Sequence, residues 1–136
     1  STGVPFFIVP LKTGEALRRS RVDRRRLYAL INRTEAKAFL LFCPETFDPK
    51  NHLQVRVFAH ALGVAEDPAT GSANGCLAGY LAKHRYFGAG ELDIRVEQGR
   101  EIGRPSLLLL KAREEAGAVS ISVGGRVIPV ARGELV

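Results

Sequence analysis

The sequence predicts an α+β domain in which a curled, predominantly antiparallel sheet, or partial barrel, wraps one central helix. Three observations carry that prediction. First, roughly Ser72 to Tyr86 reads as a helix made mostly of small residues: Ala73, Gly75, Cys76, Ala78, Gly79 and Ala82, interrupted by Leu77, Tyr80 and Leu81. Two glycines in a helix interior cost roughly 1 kcal/mol each relative to alanine. Such a helix is expected where other elements pack against its backbone on most sides. Second, Leu92, Ile94 and Val96, and later Val119, Ile121 and Val123, alternate with polar residues, the period of strands with one buried face. Third, the runs Phe6–Leu11 and Ala36–Cys43 are apolar almost throughout, as buried strands are.

The remaining elements follow in order. Pro10 gives the first strand an irregular end. Thr13 or Gly14 opens a short helical turn. Asp23 caps a second helix over Arg24 to Asn32, with Leu27, Leu30 and Ile31 facing inward. Residues 44–51 form a loop with two prolines. Leu53, Val55 and Val57 alternate with Gln54, Arg56 and Phe58, the signature of a half-buried strand. His60 to Val64 leads into the central helix, and Gly88-Ala89-Gly90 breaks the chain after it. Ser106 to Ala112 reads as a more buried strand. Gly124-Gly125 suits a two-residue hairpin turn, and Val127–Val130 would then be a last strand, placed at an edge by Pro129.

Length and composition bound the rest. A chain of 136 residues, 46% hydrophobic and 25% charged, is expected to form one globular domain over 1–136. No apolar run is long enough for a membrane span and no signal-peptide pattern is present, so a cytoplasmic protein is expected. Cys43 and Cys76 lack metal-ligand spacing and read as reduced thiols; no metal and no cofactor are expected. The net charge is +6, concentrated in Arg18, Arg19, Arg21, Arg24, Arg25 and Arg26. A phosphate-binding patch and a solvated surface both fit those arginines. The surface is favoured, because no aromatics interleave with them to stack bases.

The chemistry is expected at Glu66-Asp67-Pro68-Ala69-Thr70-Gly71-Ser72-Ala73. Pro68 narrows the backbone choices of Asp67 and helps to aim its side chain. Ser72 is a natural N-cap for the small-residue helix. A helix start offers exposed N–H groups with the helix dipole behind them, an anion site. An acid beside an anion hole suits a small carboxylate substrate with a proton to be moved or an amine to be held. Ordinary loop-and-cap chemistry accounts for the same residues equally well; the close-packed helix behind them tilts the reading toward a site.

The same stretch resembles the signature of the phenazine-biosynthesis PhzF-like family, whose members share the diaminopimelate epimerase fold. Ser1–Pro10 resembles the opening strand of that family's second domain, and Arg56-Val57-Phe58-Ala59 its lead-in to the signature. Gln98-Gly99 with Gly103-Arg104-Pro105-Ser106 resembles its late strand pair. The resemblance runs over nearly the whole chain but over only the C-terminal half of a two-domain family member. It implies a cofactor-independent isomerase or epimerase acting on a small carboxylate. The catalytic glutamate and an opposing Gly-His anion hole would come from an N-terminal domain or partner subunit. His60 stands where the family pattern has proline.

By that resemblance Asp67 is the catalytic candidate, lining the cleft. Gly71 and Ser72 would bind the substrate carboxylate through their backbone N–H groups, with Thr70 and Glu66 as further substrate-binding candidates. Thr70 reads equally as a local backbone ligand, and Glu66 as the partner of an arginine. Thr2 and Gly3 are further candidates for the cleft. His60 reads as a loop histidine, His52 and His84 as surface residues, and Cys76 as a small buried packing residue. Arg104 with Ser106 reads as a pair that fixes the fold. Three functions follow: the isomerase half, expected to dimerise or to meet its other half; a catalytically silent small-molecule-binding or assembly module that self-associates; and, last, a basic nucleic-acid-binding domain.

Overall fold

The computed structural model describes residues 3–134. Its seven strands are β1 (Phe6–Pro10), β2 (Ala38–Cys43), β3 (Leu53–Ala59), β4 (Val64–Asp67), β5 (Glu91–Gln98), β6 (Ser106–Glu115) and β7 (Ala118–Gly125). They form one curled sheet in the order β1-β2-β3-β5-β6-β7, with β4 paired to β3. The β1–β2 and β3–β5 pairs are parallel and the other four are antiparallel. The helices are α1 (Gly14–Arg19), α2 (Arg24–Ile31) and α3 (Gly71–Lys83). This is the α+β architecture that the patterning predicts.

Helix α3 fills the concave side. Its Ala73, Leu77, Ala78, Leu81 and Ala82 pack with Leu40 and Phe42 of β2, Val55 and Val57 of β3, Ile94 and Val96 of β5, and Leu108 and Leu110 of β6. Small side chains let the sheet close tightly around it: a Cβ on Gly79 would lie 3.1 Å from the Ile121 side chain on β7. Dense interior contact of this kind is the source of most of the fold's stability.

The convex side carries α1 and α2. Thr13 caps α1 by accepting from the Ala16 N–H, and Asp23 caps α2 by accepting from the Arg26 N–H. Leu27 and Ile31 turn inward, whereas Leu30 stays exposed. Because these helices cover it, β3 is buried on both faces, against the half-buried strand expected from its alternation. Its polar residues Gln54 and Arg56 are satisfied by other elements rather than by water.

The late meander departs from its sequence reading at three points. Strand β6 is buried on one face only, with Leu107 and Leu109 exposed. Its hairpin to β7 turns at Ala116-Gly117, which hold φ of 51° and 80°, the positive values that a type I′ turn demands at both central positions. Gly124 and Gly125 are therefore strand residues, paired with Leu109 and Leu108. Residues 126–134 form no strand; Val127, Ile128 and Val130 are exposed, with no ladder partner within the described residues.

Truncating Leu77 to alanine removes a fully buried side chain from the middle of this core and should cost roughly 2–5 kcal/mol in urea denaturation. A loss under about 1 kcal/mol would mean that α3 is not the enclosed element described.

Candidate functional site

The motif is positioned by a division of one strand edge. Strand β5 pairs with the first part of β3, Leu53 to Val55, and then stops at Gln98. Strand β4 takes over the same edge, running the opposite way, with Ala59 opposite Val64 and Val57 opposite Asp67. The two strands thus end head to head at Asp67 and Gln98, and α3 starts in the gap. Gly99 makes this meeting possible. Its φ is +81°, and a Cβ there would lie 2.7 Å from the Pro68 carbonyl oxygen and would also collide with that of Arg104.

Gln98, almost fully buried, ties the ends together. Its Nε2 donates to the Asp67 carbonyl at 2.6 Å and to the Thr70 hydroxyl at 3.0 Å. Its Oε1 accepts from Asn74 Nδ2 at 2.8 Å and from the Thr70 N–H at 3.3 Å. Asn74, inside the first turns of α3, also donates to the Thr70 carbonyl at 2.9 Å. The Thr70 hydroxyl in turn donates to Asp67 Oδ2 in a short hydrogen bond. The other carboxylate oxygen, Oδ1, has no partner among the described residues. Asp67 is therefore held by one oxygen with the second available.

Helix α3 is capped two residues earlier than the sequence suggests, and it ends at Lys83 rather than Tyr86. Thr70 is the N-cap, not Ser72, and its side chain is turned to Asp67 instead of capping the helix. Ser72 lies within the first turn. The N–H groups of Gly71, Ser72 and Ala73 precede the first carbonyls that an α-helix can offer them. Gly71 is exposed and a Cβ on it would meet nothing within 4 Å, whereas Ala73 is fully buried. The same absence of neighbours means that Gly71 faces an opening, while the close backbone approach in this region belongs to Gly99.

Glu66 points the other way along β4. Arg56 grips it with two hydrogen bonds, Nε to Oε1 at 2.9 Å and Nη2 to Oε2 at 2.7 Å. Both side chains are more than nine-tenths buried. The remaining Arg56 nitrogen donates to the carbonyls of Leu17, Arg18 and Ser20 at the end of α1, and the guanidinium lies 4.8 Å from the Phe58 ring centre. Of the two readings of Glu66, the arginine pair is the one found. With both oxygens engaged by Arg56, Glu66 anchors β4.

Other candidates lie apart. His60 sits in the 3-10 turn at the far tip of the β3–β4 hairpin. Cys76 is half-buried, with Sγ 3.8 Å from the Val4 carbonyl. Ser106 donates to the Arg104 backbone carbonyl. Thr2 lies outside the described residues. Cys43 is buried in β2, and burial raises its thiol pKa above the ordinary value, so it stays protonated near neutrality. Among the described residues no group of three or more His, Cys, Asp or Glu side chains is placed to hold a metal ion. Sequence reasoning missed the clasp formed by Gln98, Asn74 and Gly99. The signal for Gln98 was a polar residue in an inward-facing strand position.

Comparisons with known proteins agree with this architecture. The sequence profile of the phenazine biosynthesis-like protein family matches residues 1–133. An uncharacterized isomerase of Mesorhizobium japonicum is 34% identical, over 99% of this chain and 46% of its own length. The trans-2,3-dihydro-3-hydroxyanthranilate isomerase of Pseudomonas aeruginosa is 44% identical over 62% of this chain and 31% of its own length. A Bacillus anthracis phenazine biosynthesis protein of the PhzF family superposes with a TM-score of 0.75 at 26% identity, covering 87% of this chain and 41% of that one. The chain thus spans less than half the length of these relatives.

Arg56→Ala leaves a buried carboxylate without its partner and should cost roughly 3–5 kcal/mol in urea denaturation. The double variant Arg56→Met with Glu66→Leu should lose less than that single variant; equal or greater loss would contradict the clamp. Gly99→Ala adds a Cβ against two carbonyls at positive φ and should cost about 2–4 kcal/mol. A Gly99→Ala protein as stable as the parent would rule out the close packing of Gly99 on Pro68.

Proposed function

Because the chain belongs to the phenazine biosynthesis-like protein family, we propose that it is the C-terminal half of a cofactor-independent isomerase or epimerase that moves a proton beside a small carboxylate. The observation that carries this reading is the clasp: Asp67, fixed by Thr70 through one oxygen, stands beside an open helix start. That arrangement supports a substrate held at two points. The N–H groups of Gly71 and Ser72 receive the carboxylate, aided by the helix dipole. The open Oδ1 of Asp67 accepts from a hydroxyl or amine on the adjacent carbon and sets its orientation.

The proton transfer needs a base across the cleft. In this reading a glutamate of the N-terminal half takes the proton from the carbon, and the electron pair left behind is delocalised toward the carboxylate. The helix N–H groups stabilise the charge that builds there. The proton then returns at a different carbon or on the other face. Thr70 keeps Asp67 in place, and Glu66 with Arg56 keeps β4 in place. The half-domain by itself binds weakly and turns over little.

A second reading, association with another chain, rests on a separate observation. Leu107 and Leu109 on the outer face of β6, Ile121 and Val123 on the α3-facing side of β7, and Val127, Ile128 and Val130 after it all expose apolar surface. Surface of that kind favours a protein partner over water. The partner is the N-terminal half or, for a silent assembly module, a second copy.

The test is reconstitution. This chain is mixed with the N-terminal half of a relative, and deuterium uptake from D2O is followed by NMR on a panel of small carboxylates headed by trans-2,3-dihydro-3-hydroxyanthranilate. Exchange should need both halves, and Asp67→Ala should lower it by roughly 10²-fold or more. Full exchange with the alanine variant would remove Asp67 from the site.

A further inference from the structure

The arginine-rich segment has no part in the site above, yet it borders an apolar hollow. The hollow lies on the convex side, across the sheet from α3. Its floor is Phe39 and Leu41 of β2 and Phe58 of β3. One wall is Leu27 and Leu30 of α2, the other the turn from Ser20 to Asp23, and its volume is about 320 Å³. That is the small end of the range for ligand cavities, about 300–1,000 Å³. The floor is firm: Phe39 stacks on Phe7 with ring centres 4.7 Å apart, and Phe58 lies under Arg56.

The mouth is cationic. Arg21 and Arg26 line it. Asp23, the one acid among the lining residues, is already engaged by the Arg26 N–H and by the Arg26 guanidinium at 3.5 Å. Arg21 donates through one nitrogen to the carbonyls of Arg18 and Ser20, and no carboxylate pairs with it among the described residues. Arg24 and Arg25 add two further positive charges on the same helix. An aromatic floor beneath an arginine mouth is complementary to a flat apolar ring carrying an acidic group.

We propose that this hollow is a second small-molecule site, for a hydrophobic organic anion of the aryl carboxylate or aryl sulfonate class. The ring lies on Phe39, Leu41 and Phe58, and the acid meets Arg21 and Arg26 at the mouth. The site is independent of the proposed isomerase reaction, since it shares no residue with Asp67, Thr70, Gly71 or Ser72. It stands whether or not that reading survives.

The experiment is an amide NMR titration of the whole chain with 2-naphthoate and, in parallel, with its uncharged counterpart 2-naphthalenemethanol. Saturable naphthoate shifts are expected at Leu27, Leu30, Phe39 and Phe58, with weaker binding of the alcohol. Arg21→Gln with Arg26→Gln should weaken naphthoate by about fivefold and leave the alcohol unchanged, as for partly screened charges. Leu30→Trp, at an exposed wall position, should block both ligands while thermal melting shows the fold intact. The proposal is overturned if naphthoate shifts concentrate elsewhere, or if acid and alcohol bind alike. It is also overturned if the same amides shift with protein concentration alone, because a second copy of the chain then covers the hollow.

Discussion

One side-chain amide holds the motif together. Two strands share an edge of β3, run toward each other and stop two β3 residues apart, Gln98 opposite Val55 and Asp67 opposite Val57. Gln98 ties those ends to each other and to α3. It is buried, so each of its hydrogen bonds forms in a medium where an unmade one would cost about 1–3 kcal/mol. By bonding the Asp67 carbonyl, the Thr70 hydroxyl and N–H, and the Asn74 amide, it fixes the end of β4, the cap residue and the first turns of α3 as one unit. The position of the Asp67 carboxylate and the orientation of the helix start are consequences of that unit. Gly99 follows from it too, because the chain must turn away directly after Gln98 with Pro68 packed against its backbone.

A second polar unit secures the other side of β4. The Arg56–Glu66 pair lies on the convex side, joined to the end of α1 through three carbonyls. Neighbouring carboxylates in the sequence therefore have opposite surroundings. Glu66 is dry and doubly bonded to a guanidinium; Asp67 is held by a hydroxyl and keeps an open oxygen. Strand alternation produces this division, since successive side chains leave β4 on opposite faces. It separates the residue that fixes the strand from the residue that can meet a ligand.

The sequence made some of this legible and hid the rest for physical reasons. Strand β5 was readable because one-sided burial leaves a period of two in the chain, and the small-residue helix because close packing around it selects alanine and glycine. Strand β7 carries the alternation of a half-buried strand, yet its Ile121 and Val123 stay exposed. The two-sided burial of β3 was not readable, since Gln54 and Arg56 look like solvent-facing residues until α1 and the strand partners supply their bonds. The hairpin at Ala116-Gly117 lacks the asparagine or aspartate that advertises a primed turn, while Gly124-Gly125 imitates one. At the site, Asp67, Thr70, Gly71 and Ser72 stand together in sequence and were found together. Gln98 lies 28 residues from Thr70 and 31 from Asp67 in sequence, so its part in the clasp emerges only from the fold. Ser72 looked like the cap because capping propensity favours serine; Thr70 took the position when its hydroxyl turned to Asp67.

The central claim is that Asp67 and the start of α3 together form half of a carboxylate site. The most direct measurement is an amide NMR titration with lactate, whose carboxylate and neighbouring hydroxyl match the two proposed contacts and whose small size gives it no ring for the convex hollow. The account predicts weak, saturable shifts centred on Gly71, Ser72 and Asp67, reduced when lactamide replaces lactate. Equal shifts with both compounds, or shifts that leave Gly71 and Ser72 unmoved, would contradict it.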